Sequence, residues 1–263
     1  TANSVYIATK LGCNGHHVGV IGNDDIGKKT IEDYQSNNIG ESFSLTIQDG
    51  DSGCSIVIIT PDGERTMLTY LGVSSQFGST AFIKELINQS QYFFIEGYLL
   101  TDDHCFNMLS NELIPHAKTN NIPVIFSLSD AGLVGYFKSR FLEIIELGID
   151  IVFCNKSESE AISDFQNIDD IQLFFKKNVS HCIVTDGQNG AYQFDQDGIT
   201  HFPTDAIQPI DTTGAGDAFA GAYIYGMVKQ QPKELIGQLA NKTANIVISQ
   251  MGARPNSLDS LPL

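Results

Sequence analysis

The stretch best equipped for chemistry is DTTGAGDAFAGAYIYGM, residues 211–227. Gly214, Ala215 and Gly216 are small residues opening an Ala/Gly-rich segment that is predicted to be helical from near Gly214 to about Lys229. The first turn of a helix leaves backbone N–H groups unpaired, and the aligned peptide dipoles place about half a positive charge there. With no bulky side chain in the way, an anion can approach those donors closely. Asp217 falls in the same turn. A carboxylate beside an anion pocket is an awkward pairing unless it has a proton to remove. Phosphoryl transfer supplies one, because an acceptor hydroxyl loses its proton as it attacks the γ-phosphorus. The plainer alternative is that Asp217 only favours a helix N-terminus and the glycines only permit close packing. The complete DTTGAGD string favours the chemical reading. It is not a Walker A loop, since no Gly-Lys-Ser/Thr follows, and it is not a dinucleotide GxGxxG behind a strand.

Such a turn must be held by a scaffold, and the sequence shows one. From about residue 90, short apolar runs alternate with longer segments of helical period. The runs are YFFIEG (92–97), PVIFSL (123–128), DIVFC (150–154) and HCIVTD (181–186). Between them, Phe106, Leu109 and Leu113, then Phe137, Phe141 and Ile144, then Ile168, Ile171 and Phe175 recur three or four apart. Apolar runs without polar alternation suit strands covered on both faces. Their alternation with helices implies a mostly parallel sheet between helical layers, an α/β three-layer sandwich. A last helix is expected from about Pro232 to Gln250, stopped at Gly252.

Residues 42–72 have a different texture. SFSLTI, CSIVIIT and RTMLTY are strand-like, with the turn dipeptides Asp49-Gly50 and Asp62-Gly63 between them, so a three-strand meander is expected. A small sheet with an apolar face usually covers something, here a ligand cleft as a lid or, alternatively, a second copy in a homodimer. With no repeat and no long linker, a single α/β domain over 1–263 with a lid at about 42–72 is the economical description.

Composition removes several function classes. There are 15 Lys and Arg against 31 Asp and Glu, a formal charge of −16, which argues against nucleic acid as a partner. A polyphosphate ligand would have to be met by helix N-termini, backbone N–H groups and a metal ion. No apolar run is long enough for a bilayer, and no secretory leader pattern opens the chain, so a cytoplasmic location is expected. The five cysteines, Cys13, Cys54, Cys105, Cys154 and Cys182, form no metal-binding spacing and read as free thiols. Neither HExxH nor GxSxG is present, which leaves hydrolase readings weak.

At the residues just described, the sequence resembles the ribokinase-like (PfkB) carbohydrate and nucleoside kinase family, over nearly its whole length. VGVIGNDDIGKK (18–29) is similar to the family's first signature. NKSE (155–158) matches an N-x-x-E motif, TDGQNG (185–190) a T-x-G-x-x-G, and ANKTANIVISQMGARP (240–255) the last helix and loop. The resemblance implies a β-sheet lid, ATP as phosphoryl donor and Mg2+. It makes Asp217 the catalytic base and Gly214, Ala215 and Gly216 the anion hole. Asn155 and Glu158 match the pair that organises Mg2+ through waters, and their spacing puts both on one side of a helix start. The bland alternative there is a helix cap, with Ser157 and Glu160 as a capping box.

Thr185, Gly187 and Gly190 follow the strand HCIVTD, at the carboxyl end where ligands bind in open α/β sheets. By resemblance they line the nucleotide site, with Asn241. The alternative for the glycines is a plain turn. Asp211 and Thr213, carbonyls around Val247, Gln250 and Gly252, and the Asn256 side chain match places where relatives hold a monovalent cation, K+. Equally, Asp211 could fix its loop by hydrogen bonds. The family's Gly-Gly pair before an Asn is not found. Only Asn3 matches that Asn, and a chain recorded without its first strand is expected to expose a sheet edge.

For the acceptor, Asn3 and Glu96, with Asp217, are the implied contacts; for Glu96 the alternative is an ordinary strand-end carboxylate. GERTMLTYLGVS (63–74), EGYLL (96–100), SLSD (127–130) and GARP are most similar to bacterial adenosine kinase-like and sugar kinases. The expected function is transfer of the γ-phosphoryl group of MgATP to a hydroxymethyl group of adenosine or a free sugar. The rival is a catalytically silent member that binds a sugar or nucleoside as a sensor or scaffold.

Overall fold

The apolar runs without polar alternation become the central strands of one sheet. In the computed structural model, which describes residues 2–37, 39, 44–59, 65–259 and 261, the chain divides into two compact units, residues 80–206 and residues 1–79 with 207–263.

In the unit formed by 80–206, six strands lie in one sheet. They are β5 (Phe93–Glu96), β6 (Val124–Ser127), β7 (Ile151–Asn155), β8 (His181–Thr185), β9 (Ala191–Asp195) and β10 (Gly198–Phe202), in the order β10-β9-β8-β7-β6-β5. The first four run parallel, and β9 and β10 continue the sheet antiparallel. Val124, Ile125 and Phe126, three residues in a row, have no solvent exposure, nor do Val152, Cys182 and Val184. That burial of successive residues requires helices on both faces. The helices α3 (Thr80–Asn88), α4 (Asp103–Met108), α5 (Ile114–Thr119), α6 (Ala131–Tyr136), α7 (Lys138–Glu146), α8 (Lys156–Ser163) and α9 (Ile168–Asn178) supply them. Phe126 of β6 packs against Phe141 of α7 with ring centroids 5.6 Å apart.

The parallel register aligns the strand ends. Glu96 sits opposite Ser127, and Asn155 opposite Thr185. Glu96, Asn155 and Thr185, singled out from sequence, therefore finish parallel strands at the carboxyl edge of one sheet, the edge where open α/β sheets bind ligands.

The second unit contains α1 (Ala2–Leu11), β1 (Val18–Gly22), α2 (Asp25–Ser36), β2 (Ser44–Gln48), β3 (Cys54–Ile59), β4 (Arg65–Tyr70), α10 (Ala215–Val228) and α11 (Lys233–Ile248). α10 packs against both α1 and α11. Its contact with α1 depends on Gly221, where an added Cβ would lie 2.5 Å from the Ser4 carbonyl and 2.8 Å from Ile7 Cβ. No other residue allows two backbones this close.

The expected three-strand meander is corrected. β2 pairs in parallel with β1 across α2, Val18 opposite Ser44 through Gly22 opposite Gln48. Only β3 and β4 form an antiparallel pair, with Ile56 opposite Leu68. The reason lies at Asp24. Its carboxylate accepts from Gly27 N at 2.8 Å, capping α2, and from Ser52 N and Oγ at 2.8 and 2.6 Å. These bonds tie the Asp49-Gly50 turn to the start of α2 rather than letting it fold β2 back on β3. Asp62-Gly63 lies outside the described residues. On the β3–β4 hairpin, Ile56, Ile58, Leu68 and Tyr70 are exposed.

Candidate active site

α10 begins at Gly214, whose φ of 80° puts it in the left-handed region as an N-cap without a side chain. A Cβ there would lie 2.6 Å from the Ala253 carbonyl, so both conformation and space require glycine. The Ala215 N–H turns back to the Thr212 carbonyl at 3.3 Å. A Cβ on Gly216 would meet nothing within 4 Å. The backbone at 216 is thus open to an approaching group, at the end of a helix that favours negative charge.

Asp217 stands half-buried in that first turn. Its Oδ2 accepts from Asn3 Nδ2 at 3.1 Å, and its Oδ1 accepts from Ser4 Oγ at 2.9 Å. Both donors sit at the start of α1, brought there by the close packing at Gly221. Two neutral donors orient the carboxylate. Asn3, expected at the acceptor, also accepts from Arg254 Nε at 3.0 Å.

In the loop before α10, Asp211 is buried. Its Oδ1 accepts from Thr213 N at 2.8 Å and Thr213 Oγ1 at 2.6 Å, and its Oδ2 accepts from Gly252 N at 2.9 Å. Both carboxylate oxygens are therefore engaged in fixing the loop. Gln250 N donates to the Val247 carbonyl at 3.3 Å. The Gln250 side chain donates to the Arg254 carbonyl at 3.0 Å and accepts from Asn256 Nδ2 at 2.8 Å. Asn241 is buried in α11.

In the other unit, α8 opens on Asn155. Its Oδ1 accepts from Glu158 N at 2.8 Å, while the Glu158 carboxylate accepts from Asn155 N at 3.0 Å and Nδ2 at 2.7 Å. The capping box is this pair, not Ser157 with Glu160. N-x-x-E already contains the reciprocal geometry, since the N-cap side chain reaches the third helical N–H. Glu158 is 5% exposed. Burial, with the negative charge of Asp130, outweighs the Asn155 N–H and pushes its carboxyl up to about 7. Asp130 itself caps α6, accepting from Leu133 N at 2.9 Å.

Among the described residues no cluster of three or more His, Cys, Asp or Glu forms a metal cage. A buried carboxylate reluctant to ionise, with a second one near it, is a hard oxygen site that a cation would satisfy. Mg2+ usually keeps several waters and leans on one or two carboxylates plus phosphates. The residues fit that mode. Thr185 Oγ1 donates to the Cys154 carbonyl at 3.4 Å. Gly187 is exposed, and Gly190 closes the turn as its carbonyl accepts from Asp186 N at 2.8 Å.

Sequence reasoning missed Ser4, Asp130 and Arg254. Ser4 carries no signal of its own. Asp130 lies between a strand and the helix that it caps, and Arg254 is one of few basic residues in an acidic chain; both lay inside quoted segments without a role.

A helix start open to an approaching group, with an oriented carboxylate in the same turn, suits phosphoryl transfer to an alcohol. The pfkB family carbohydrate kinase profile matches residues 1–260, and the chain belongs to that family. It is a sugar or nucleoside kinase. It is similar to adenosine kinase of Saccharomyces cerevisiae, 23% identical over 255 residues that cover 90% of this chain and 72% of that one. The adenosine kinase structure from Sinorhizobium meliloti superposes with a TM-score of 0.91 at 27% identity, covering 97% of this chain and 78% of that one. A complex with ATP and Mg2+ from E. coli, provisionally assigned as ribokinase II, shares the fold with a TM-score of 0.85 at 19% identity, covering 96% and 82%. ATP is the phosphoryl donor of the family.

Proposed function

We propose that this chain transfers the γ-phosphoryl group of ATP to a hydroxymethyl group of a ribose-bearing nucleoside, with Asp217 as general base. The observation that carries the reading is the Asp217 carboxylate, fixed by Asn3 and Ser4 in the same turn as the open backbone of Gly216. Asp217 takes the proton of the attacking hydroxyl. The N–H groups at the start of α10 meet the negative charge that gathers on the transferring phosphoryl oxygens. Asn155 and Glu158 would hold Mg2+ through water, and the ion would neutralise phosphate charge. Thr185, Gly187, Gly190 and Asn241 belong to the nucleotide side, and Asn3 and Glu96 to the acceptor side.

A nucleoside is favoured over a free sugar because two of the similar proteins are adenosine kinases. Asp211 already has a structural task, so K+ would rely on the carbonyls of Val247 and Gly252 and on the Thr213 and Asn256 side chains. A second copy meeting the exposed face of the β3–β4 hairpin, and a cytoplasmic setting, complete the reading. No helix among the described residues is long and apolar enough to cross a membrane.

A coupled assay of ADP release with adenosine, ribose and fructose as acceptors tests it. ADP formation with adenosine above the other two is expected. Thermal stabilisation by a ligand without ADP would instead identify a silent binding protein.

A further inference from the structure

The acidic loop and helix surfaces of this chain leave one guanidinium in an unusual place. Arg254, in the stretch after α11, is held from three sides. Its Nη1 pairs with Asp33 Oδ2 at 2.5 Å, its guanidinium carbon stands 4.7 Å from the centre of the Tyr6 ring, and its Nε donates to Asn3 Oδ1 at 3.0 Å. The side chain keeps 26% of its exposure. An ion pair, a stacked ring and a hydrogen bond from different elements together leave the guanidinium little freedom to rotate.

The consequence falls on the Asn3 amide. Arginine offers only donors, so the Asn3 atom facing it must be the oxygen. An ionised carboxylate only accepts, so the atom facing Asp217 must be the NH2 group. The two neighbours, Arg254 on one side and Asp217 on the other, select the same orientation of one amide. Without Arg254, the amide could turn over and present its oxygen to the carboxylate, removing the donor at Oδ2 and adding repulsion. Ser4 would still hold Oδ1.

We propose that Arg254 is a positioning residue for the catalytic base, locking the Asn3 amide so that it fixes the plane of the Asp217 carboxylate. The proposal rests on Asp217 being that base. Arg254 touches neither carboxylate oxygen of Asp217 itself, and acts through Asn3.

A double-mutant cycle tests it in the full chain, with kcat and the KM values for ATP and acceptor measured for Arg254→Met, Asn3→Ala and the pair. Arg254→Met is expected to lower kcat roughly 10- to 100-fold, the scale of a slightly misplaced reacting group. The KM for ATP should stay within about twofold. In the Asn3→Ala background, Arg254→Met should cost less than about twofold more, because the relay is already cut. Arg254→Lys keeps the charge for Asp33 and the stem over Tyr6, and should recover part of kcat. Unchanged kcat in Arg254→Met, or losses that multiply fully in the pair, would overturn the proposal.

If Arg254→Met melts too early to assay, the same cycle is run with Arg254→Lys. The side-chain amide of Asn3, followed by NMR after selective asparagine labelling, gives a readout independent of turnover. Its Nδ2 protons should be rigid in the unaltered chain and mobile in Arg254→Met. Equal rigidity in both sinks the idea. Should the unaltered chain release no ADP with any acceptor, the function of Asp217 fails on that result, and the amide signal still decides whether Arg254 locks Asn3.

Discussion

Glu158 of α8 and Asp217 of α10 each lie in the first turn of a helix, and the two carboxylates are held in opposite ways. Glu158 is held by its own helix: the N-cap Asn155, three residues earlier, gives its backbone and side-chain N–H groups to the carboxylate. Asp217 is held by residues 214 and 213 positions away, Asn3 and Ser4 on α1. Glu158 is buried and pushed up to about 7 by that burial; Asp217 remains half-buried. Burial makes Glu158 reluctant to carry charge, even though its cap N–H favours the ionised form. Donors from a distant helix can instead fix a carboxylate's direction while leaving it within reach of solvent and substrate. The first arrangement suits a group that answers to a cation, the second a group that takes a proton from a ligand.

Exchange of each carboxyl for its amide breaks this contrast most sharply. Asp217→Asn should lose on the order of 10²–10⁴ in kcat, the usual worth of a positioned general base. Its melting temperature should hardly move, since the contacts of Asn3 and Ser4 can be partly rebuilt around an amide. Glu158→Gln should mainly weaken MgATP, raising its KM about 10- to 100-fold, as loss of groups that orient a metal site does. Steady-state kinetics with varied ATP separates the two. A larger fall in kcat for Glu158→Gln than for Asp217→Asn would reverse the assignment.

A smaller effect distinguishes the proposed anion site at the start of α10 from the fold that carries it. Gly214→Ala must adopt φ of 80° and find room beside the Ala253 carbonyl, only 2.6 Å from the new Cβ. A loss of about 1–3 kcal/mol in unfolding free energy is expected from the backbone strain. Gly216→Ala meets nothing within 4 Å. It should leave stability unchanged or raise it by a few tenths of a kcal/mol, up to about 1, yet lower turnover by crowding the approach to its N–H. Chemical denaturation beside the kinetic assay reads both. If Gly216→Ala keeps full turnover, the open backbone at 216 is not where the phosphate rests.

The same contrast marks what the sequence could reveal. The cap at α8 is written in four consecutive residues, and N-x-x-E was legible, although its structural half was placed at Ser157 and Glu160 instead. The strands of the large sheet were legible because burial on both faces removes polar alternation, as in VIFS and IVFC. DTTGAGD was legible because a helix start and its small residues are contiguous. Ser4 and Arg254 were not: Ser4 reaches Asp217 through the packing of α1 on α10 and Arg254 reaches Asn3 across the chain, and nothing near them in sequence shows Gly221 drawing the helices together. The parallel pairing of β2 with β1 was hidden for a similar reason. Asp24 binds Ser52 across 28 positions, and such a bond overrides the local turn signal of Asp49-Gly50.

The finest test uses pH. His17 is half-buried, bonded through Nδ1 to the Tyr34 hydroxyl at 2.9 Å, and burial, with the nearby charge of Arg254, lowers its pKa from 6.5 to about 4. Between those values the unfolded chain binds a proton that the folded chain refuses, so this group removes stability as pH falls from 6.5 to 4. Glu158 has the opposite sign. The folded chain keeps its proton up to about 7, whereas the unfolded chain releases it near 4.5, so stability is lost as pH rises through that window. Each shift corresponds to at most about 3 kcal/mol. Because the windows overlap and the signs differ, the two slopes offset each other in the unaltered chain, and difference measurements expose them. Relative to the unaltered chain, His17→Gln should lose less stability on acidification from pH 6.5 to 4. Glu158→Gln should lose less on raising pH from 4.5 to 7. Unfolding curves across pH 4–8 for the three proteins read both slopes. If Glu158→Gln tracks the unaltered chain throughout, the locally capped carboxylate is as ready to ionise as an ordinary one, and the contrast with Asp217 rests on orientation alone.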